Sequence, residues 1–349
     1  MSEWDNFRSA LPPQGWSPRG GQGKNPYPGT ESPCGTSSGS AIAVAANLVT
    51  VSLGTDLDGA ISCPAVFNSV VGIKPTVGLT SRSGPMARTV ADAVALLDVI
   101  VGIDPLDKGA TEAAAKFIPD GGFQKYLNVE GLNGKRIGIL RHPFFDDFPP
   151  GSSEENTFAG HFQLMRQKGA IFIDNVELKN TNIMINQTES GETITLLAEF
   201  KLSLNSYLKD LVSSPVRSLA DVIAFNNQNP TEERMKEFGQ VIFLASEETN
   251  GIGVAEQNAM SKMVKLCKEG IEDLMKEKSL DALIFSEGNA WHVMALGGYP
   301  VISVPAGYSK SGSPFGISFA GLLGSDATLI EIAYAFEQAT KIRKSPPLG

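Results

Sequence analysis

The fold is decided by two loops rich in small residues, Gly29–Ser40 (GTESPCGTSSGS) and Gly54–Ser62 (GTDLDGAIS). Because small side chains leave backbone N–H groups free to face a ligand, both loops are typical of a binding site. Between them the pattern predicts a short alanine-rich helix at Ala41–Leu48, capped by Ser40 or the small residues before it. A buried strand is predicted to follow at Val49–Leu53.

Outward from these loops, helical and strand patterns alternate along the chain. Residues 1–33 are rich in Pro, Gly and Ser and are predicted to be an extended segment. Residues 193–248 are mostly helical, and we interpret them as a helical insertion that covers one face of a sheet. The alternation favours a single α/β domain over residues 1–349, with helices on both faces of the sheet. Strands are predicted at Arg136–Leu140, Ala170–Val176, Ala282–Ser286, Val301–Pro305 and Phe315–Phe319, and helices at Thr89–Val101, Phe158–Gln167, Gln257–Lys278 and Thr328–Lys341.

The composition restricts the partners that the protein can have. The chain has 349 residues and a formal net charge of -9, which argues against nucleic acid or an anionic membrane as the main partner. The longest apolar run, Ala41–Gly54, is too short and too polar to span a bilayer. No secretory signal is visible, so the default expectation is a cytoplasmic protein, with compartment and oligomeric state left open.

The three cysteines are too few and too scattered for a disulfide framework. Cys34 and Cys63 flank the two loops and could approach each other, but in a reducing compartment we expect them to be packing thiols.

No residue spacing predicts a metal site, because the chain has no CxxC motif and its three histidines lie far apart. His292 is a candidate pocket residue in a loop after a strand, although a lone histidine is more often a satisfied core or surface residue. Asp56 and Asp58 do not form a calcium loop, because Gly54 and Ala65 occupy positions that need acidic residues. We instead expect Asp56 to orient its turn by bonds from its side chain to the backbone. The prediction is a protein without cofactor or metal.

Several stretches resemble the amidase signature family of serine hydrolases, and most of all its plant members. The resemblance spans nearly the whole chain and is strongest over Trp4–Pro105 and Gly297–Pro346. It implies a three-layer α/β/α domain with a mixed central sheet, and it implies that the N-terminal part of that domain is missing here. The reaction that the resemblance implies is hydrolysis of the C–N bonds of carboxylic amides. The stretches that carry it, besides the two loops, are Gly23–Tyr27 (GKNPY), Val70–Gly78 (VVGIKPTVG), Gly84–Asp92 (GPMARTVAD) and Gly298–Pro300 (GYP).

The resemblance also implies where the catalytic groups belong. The family uses a Ser–cis-Ser–Lys triad, in which lysine is the base, one serine relays the proton and the other attacks the carbonyl. The attacking serine corresponds to Ala60 and the relay serine to Thr36. The oxyanion turn corresponds to Leu57, Asp58 and Gly59. No lysine before Thr36 has the sequence context of the base.

These substitutions predict a pseudoenzyme. The family also has a loop lining the site between Ser83-Gly84 and Pro85, and here the two sides are joined directly. Loss of a triad residue lowers turnover by about 10⁴–10⁶, so we expect an inactive or severely impaired relative. Two alternatives stay open. One is a non-catalytic protein that binds an amide or acyl ligand, and the other is an active amidase that uses Ser37 or Ser62 as a substitute nucleophile.

Overall fold

The computed structural model describes residues 7–29, 32–286 and 289–347, so Thr30 and Glu31 of the first loop lie outside the described residues. The described strands are β1 Trp16–Ser17, β2 Gly21–Gln22, β3 Val51–Gly54, β4 Val71–Lys74, β5 Gly84–Ala87, β6 Arg136–Ile139, β7 Ile171–Ile173, β8 Ala282–Phe285, β9 Val301–Tyr308 and β10 Pro314–Ala320. Strands β3 to β10 form a mixed eight-stranded central sheet with the order β3-β5-β4-β9-β10-β8-β6-β7. The pairs β6–β7 and β6–β8 are parallel, and the other neighbours are antiparallel.

Helices cover both faces of this sheet. Side chains of a strand alternate between its two faces, and in β8 Ile284 packs into one apolar cluster while Leu283 packs into another. The first cluster contains the buried faces of helices Val90–Ile100, Ser153–Gln167 and Asp326–Thr340. The second contains those of helices Ser62–Phe67, Val254–Cys267 and Ala290–Leu296. The mixed α/β fold is therefore confirmed.

Shorter helical elements connect these layers. Among the described residues, no helix has the length and the apolar character needed to cross a bilayer. The remaining helices and helical turns are Ser38–Ala45, Pro105–Asp107, Lys108–Ala114, Ala115–Phe117, Gln124–Tyr126, Thr181–Met184, Gln187–Ser190, Glu192–Asp210, Leu219–Gln228, Met235–Phe238, Val241–Glu247, Lys268–Glu272 and Asp273–Glu277.

The helices within residues 193–248 build a small core of their own. Leu204, Leu208, Leu219 and Phe243 form an apolar cluster, against which Phe7 also packs. Helix Glu192–Asp210 contacts helices Val241–Glu247 and Val254–Cys267. That these helices are an insertion stays a prediction.

The N-terminal segment is not wholly extended. Trp16–Ser17 (β1) and Gly21–Gln22 (β2) pair as a short antiparallel hairpin. Arg8 attaches the segment to the helical region through an ion pair of 2.9 Å with Glu233.

The unit between the two loops differs from its prediction in two respects. The helix begins at Ser38, so Ser40 lies inside it, and Ser37 at its N-cap makes no capping bond with its side chain. Strand β3 is an edge strand, and Leu53 is 46% exposed. The prediction of a buried strand was wrong because apolar composition does not show whether a strand has a neighbour on both sides.

Candidate active site

Asp56 holds the second loop in its turn. Its carboxylate accepts hydrogen bonds from the backbone N–H groups of Gly59 at 2.7 Å, Ile61 at 2.8 Å and Ser62 at 3.3 Å. Gly59 has a φ of +80°, and a Cβ there would lie 3.0 Å from Cβ of Trp291, so only glycine fits without strain. The predicted role of Asp56 is confirmed.

This turn leaves unused donors next to a cavity. Within the described residues, the N–H groups of Leu57, Asp58 and Ala60 donate no hydrogen bond, whereas that of Gly59 is taken by Asp56. Leu57, Asp58 and Ala60 line a cavity of about 820 Å3. Its opposite wall is apolar and comes from the helical region, with Leu196, Leu197, Phe200, Val241, Ile242 and Ala245.

The first loop brings Thr36 to the same cavity. The peptide bond between Gly35 and Thr36 is cis, at the position that corresponds to the relay serine. Ser37 N–H donates to the carbonyl oxygen of Ala60 at 3.2 Å. The Ser37 hydroxyl also accepts from Thr55 N–H and donates to the Thr55 carbonyl oxygen, each at 3.1 Å. These bonds fix the two loops against each other, so Thr36 and Ala60 border one space.

The two candidate substitute serines do not line that cavity. Ser62 is fully buried, and its hydroxyl has no hydrogen-bond partner in the described part of the chain. Ser37 is buried and borders a separate cavity of about 520 Å3, which Thr36 also lines.

Lys74 lies on the far side of the turn. It lines a cavity of about 420 Å3 together with Asp56 and Ile61, and its Nζ donates to the Tyr299 carbonyl oxygen at 2.9 Å. Burial lowers the pKa of Lys74, against the opposing effect of Asp56 and Asp326. Burial raises the pKa of Asp56, against the opposing effect of Lys74. Among the described residues, no lysine lines the cavity beside Thr36.

Cys34 and Cys63 form a disulfide with their Cα atoms 5.8 Å apart. The expectation of two packing thiols was therefore wrong. The bond attaches the residue before Gly35 to the helix that follows the second loop. Cysteine count alone could not reveal it, because the pairing depends on the two loops packing together.

A cluster that the sequence did not predict lies beside the turn. His292 belongs to helix Ala290–Leu296 rather than to a loop, and its ring lies between Asp58 and Glu192. Burial raises the pKa of Glu192 to about 7, and the nearby His292 opposes this rise. Burial lowers the pKa of His292, but its contacts with Asp58 and Glu192 outweigh this effect and raise it overall. Residues so far apart in the sequence give no local spacing from which such a cluster could be recognised.

The mixed sheet carries two interlocked loops, and unused backbone donors of the second loop border the cavity of about 820 Å3. Residues 8–291 match the amidase family profile. The chain belongs to the amidase signature family.

The similarity extends over the whole chain. The chain is 53% identical to a probable amidase of Arabidopsis thaliana, and the alignment covers 99% of this chain and 68% of that relative. The peptide amidase of Stenotrophomonas maltophilia has 39% identity and a TM-score of 0.90, covering 99% of this chain and 74% of that one. An amidase family protein of Bacillus anthracis has 34% identity and a TM-score of 0.88, covering 100% and 68% of the two chains. The chain spans 62–68% of the length of three amidase relatives.

Proposed function

We propose that this chain binds carboxylic amides or related acyl compounds in the cavity of about 820 Å3, and that its capacity to hydrolyse them is severely impaired. The observation that carries the proposal is the turn itself. It offers the unused N–H groups of Leu57, Asp58 and Ala60, but it presents a methyl group at Ala60, which corresponds to the attacking serine.

The turn supports recognition of a carbonyl oxygen. Backbone N–H groups that are fixed in place before the ligand arrives are effective donors to a carbonyl or to a developing oxyanion. The apolar wall, which includes Leu196 and Phe200, supports an acyl chain or an apolar side chain as the remainder of the ligand.

The side chains support weak catalysis or none. Ala60 has no nucleophilic atom, and among the described residues the cavity has no lysine or histidine in its lining. Thr36 provides a hydroxyl group at the position that corresponds to the relay serine, but a relay needs both a nucleophile and a base. A turn without these groups retains only the stabilisation that its donors provide.

The first experiment separates binding from hydrolysis. Chymostatin is the competitive inhibitor in a structure of the peptide amidase, so we take it as the probe. At about 100 times its dissociation constant, a ligand of the native state stabilises it by about 2.7 kcal/mol, which corresponds to a rise in Tm of about 4 °C. No ammonia release from a peptide amide is expected above the buffer rate.

A matched pair of glycine variants tests whether the turn is the binding element. Gly59→Ala places a Cβ against Trp291 at a positive φ, whereas Gly109→Ala adds one that meets no atom within 4 Å beyond its chain neighbours and the backbone of its own helix. We expect the shift in Tm caused by chymostatin to disappear in Gly59→Ala and to persist in Gly109→Ala. An equal shift in both variants would show that the turn is not the site.

A fluorophosphonate probe, followed by intact-mass measurement, tests the catalytic part of the proposal. We expect an unchanged mass. An adduct that maps to Thr36, Ser37 or Ser62 would reveal a working nucleophile and refute impaired hydrolysis. Ala60→Ser is expected to recover little amide hydrolysis, because it restores no base.

A further inference from the structure

We propose that Asp58, Glu192 and His292 form a binding site for a divalent transition-metal ion, with Zn²⁺ as the ion that best fits the donor set. This site goes beyond amide binding, and it does not depend on whether the chain binds or hydrolyses amides.

The distances within the cluster fit a small ion. One ligand atom from each of the three residues lies within 4.8 Å of the other two. His292 Nδ1 is 3.0 Å from Oδ1 of Asp58, and His292 Nε2 is 3.3 Å from Oε2 of Glu192. A tetrahedral Zn²⁺ with bonds of about 2.0–2.1 Å separates its ligand atoms by roughly 3.4 Å. One ring nitrogen and one oxygen of each carboxylate lie within 4.8 Å of one another, so side-chain rotations that bring them closer would complete the site.

The buried polar atoms of the cluster lack hydrogen bonds. His292 is 6% exposed and Glu192 is 9% exposed. The ring nitrogens of His292 lie near Asp58, Glu192 and the backbone of Met184, but in the described part of the chain neither nitrogen, nor Oε2 of Glu192, has a partner with hydrogen-bond geometry. Buried polar atoms are normally paired, and an unpaired group calls for a specific explanation such as an unseen ion. A cation ligated by one ring nitrogen and both carboxylates would supply the missing interactions of that nitrogen and of Glu192.

Three separate elements fix the ligands, and a neighbour orients one of them. Asp58 belongs to the turn, Glu192 begins helix Glu192–Asp210, and His292 lies on helix Ala290–Leu296. Gln187 Nε2 donates to Oδ2 of Asp58 at 3.1 Å, which leaves Oδ1 directed at the cluster. Such bonds from a neighbouring side chain are typical of groups that hold a metal ligand in position.

The site is accessible from two sides. Asp58 and Glu192 line the cavity of about 820 Å3, while Asp58 and His292 line a second cavity of about 1000 Å3. An ion could enter through either cavity and keep an open position for a ligand. Imidazole with carboxylates suits Zn²⁺, whereas Ca²⁺ and Mg²⁺ prefer ligand sets composed of oxygen atoms.

Titration calorimetry of the whole chain with Zn²⁺, prepared without a polyhistidine tag, tests the site. We expect one Zn²⁺ per chain, and at least a tenfold loss of affinity in His292→Asn and in Glu192→Gln. His142→Asn is the matched control, because His142 Nδ1 also contacts a carboxylate, Oδ2 of Asp146 at 2.6 Å, but on the surface. Its Zn²⁺ affinity is expected to stay unchanged.

Several outcomes would overturn the proposal. One is the absence of stoichiometric Zn²⁺ binding by the unmodified chain, and another is an equal loss of affinity in His142→Asn. Circular dichroism establishes that each variant is folded. If His292→Asn does not fold, Glu192→Gln decides the question, and wild-type affinity in that folded variant would refute the site.

Discussion

Replacement of Asp56 by alanine is expected to remove the support of the donor-rich turn. The carboxylate accepts hydrogen bonds from three backbone N–H groups, those of Gly59, Ile61 and Ser62. It also lies near the buried ammonium group of Lys74, whose remaining acidic neighbour is Asp326. The substitution therefore leaves three backbone donors without an acceptor and weakens the compensation of a buried charge.

The expected loss follows from these contacts. A buried donor left unsatisfied costs about 1–3 kcal/mol, and three such donors are exposed by this substitution. These costs overlap, because water can enter the space of the deleted carboxylate. We therefore expect Asp56→Ala to lower the free energy of unfolding by about 3–5 kcal/mol. Asp56→Asn keeps one acceptor oxygen and should lose about half as much.

Urea unfolding followed by tryptophan fluorescence measures the loss in the free energy of unfolding. The shift in Tm caused by chymostatin measures whether the turn still binds the ligand. The control is Asp146→Ala, since Asp146 is an exposed carboxylate beside the exposed His142. A loss below about 1 kcal/mol in Asp56→Ala, similar to that in the control, would refute the assigned role of Asp56. An unchanged response to chymostatin in a strongly destabilised Asp56→Ala would separate stability from binding and contradict the link between them.

Two further predictions concern stability. Burial raises the pKa of Glu337 from 4.5 to about 7, although Val90 N–H donates to its carboxylate at 2.7 Å. The folded state then binds more protons than the unfolded state, and stability is lost as pH rises from about 4.5 to 7. Glu337→Gln should match the wild type at pH 4.5 and exceed it by about 1–3 kcal/mol at pH 8 in urea unfolding, and an equal difference at both pH values would contradict this. Reduction of the disulfide between Cys34 and Cys63, which are 29 residues apart, should cost about 3.5 kcal/mol and lower Tm, whereas the Cys34→Ala/Cys63→Ala variant should not respond to a reductant.

The sequence allowed the layers of the fold to be predicted, because burial on both faces leaves continuous apolar runs. Strand β6 was expected at Arg136–Leu140 and is found at Arg136–Ile139. The role of Asp56 could also be predicted, since its bonds reach residues only three to six positions away. Interactions of this kind are local and follow from the order of the residues.

The parts that could not be predicted depend on distant segments. The edge position of β3, the bond between Cys34 and Cys63, and the grouping of Asp58 with Glu192 and His292 all follow from how separate elements pack. A lone histidine in a sequence carries no information about which carboxylates will face it. The tertiary fold supplies that information, because the spacing of residues along the chain does not show which distant segments meet.

The serine-rich first loop also protects the open side of the sheet. Ser40 Oγ donates to the carbonyl oxygen of Leu53 at 2.7 Å, and Ser52 Oγ donates to the carbonyl oxygen of Ser40 at 3.0 Å. Strand β3 carries no charge and exposes Leu53, which are features of an edge that pairs with other chains. The Ser40 hydroxyl occupies the carbonyl oxygen of Leu53, a backbone acceptor to which a foreign strand could otherwise bond. A substitution of Ser40 would therefore lower the protein concentration at which the chain begins to aggregate.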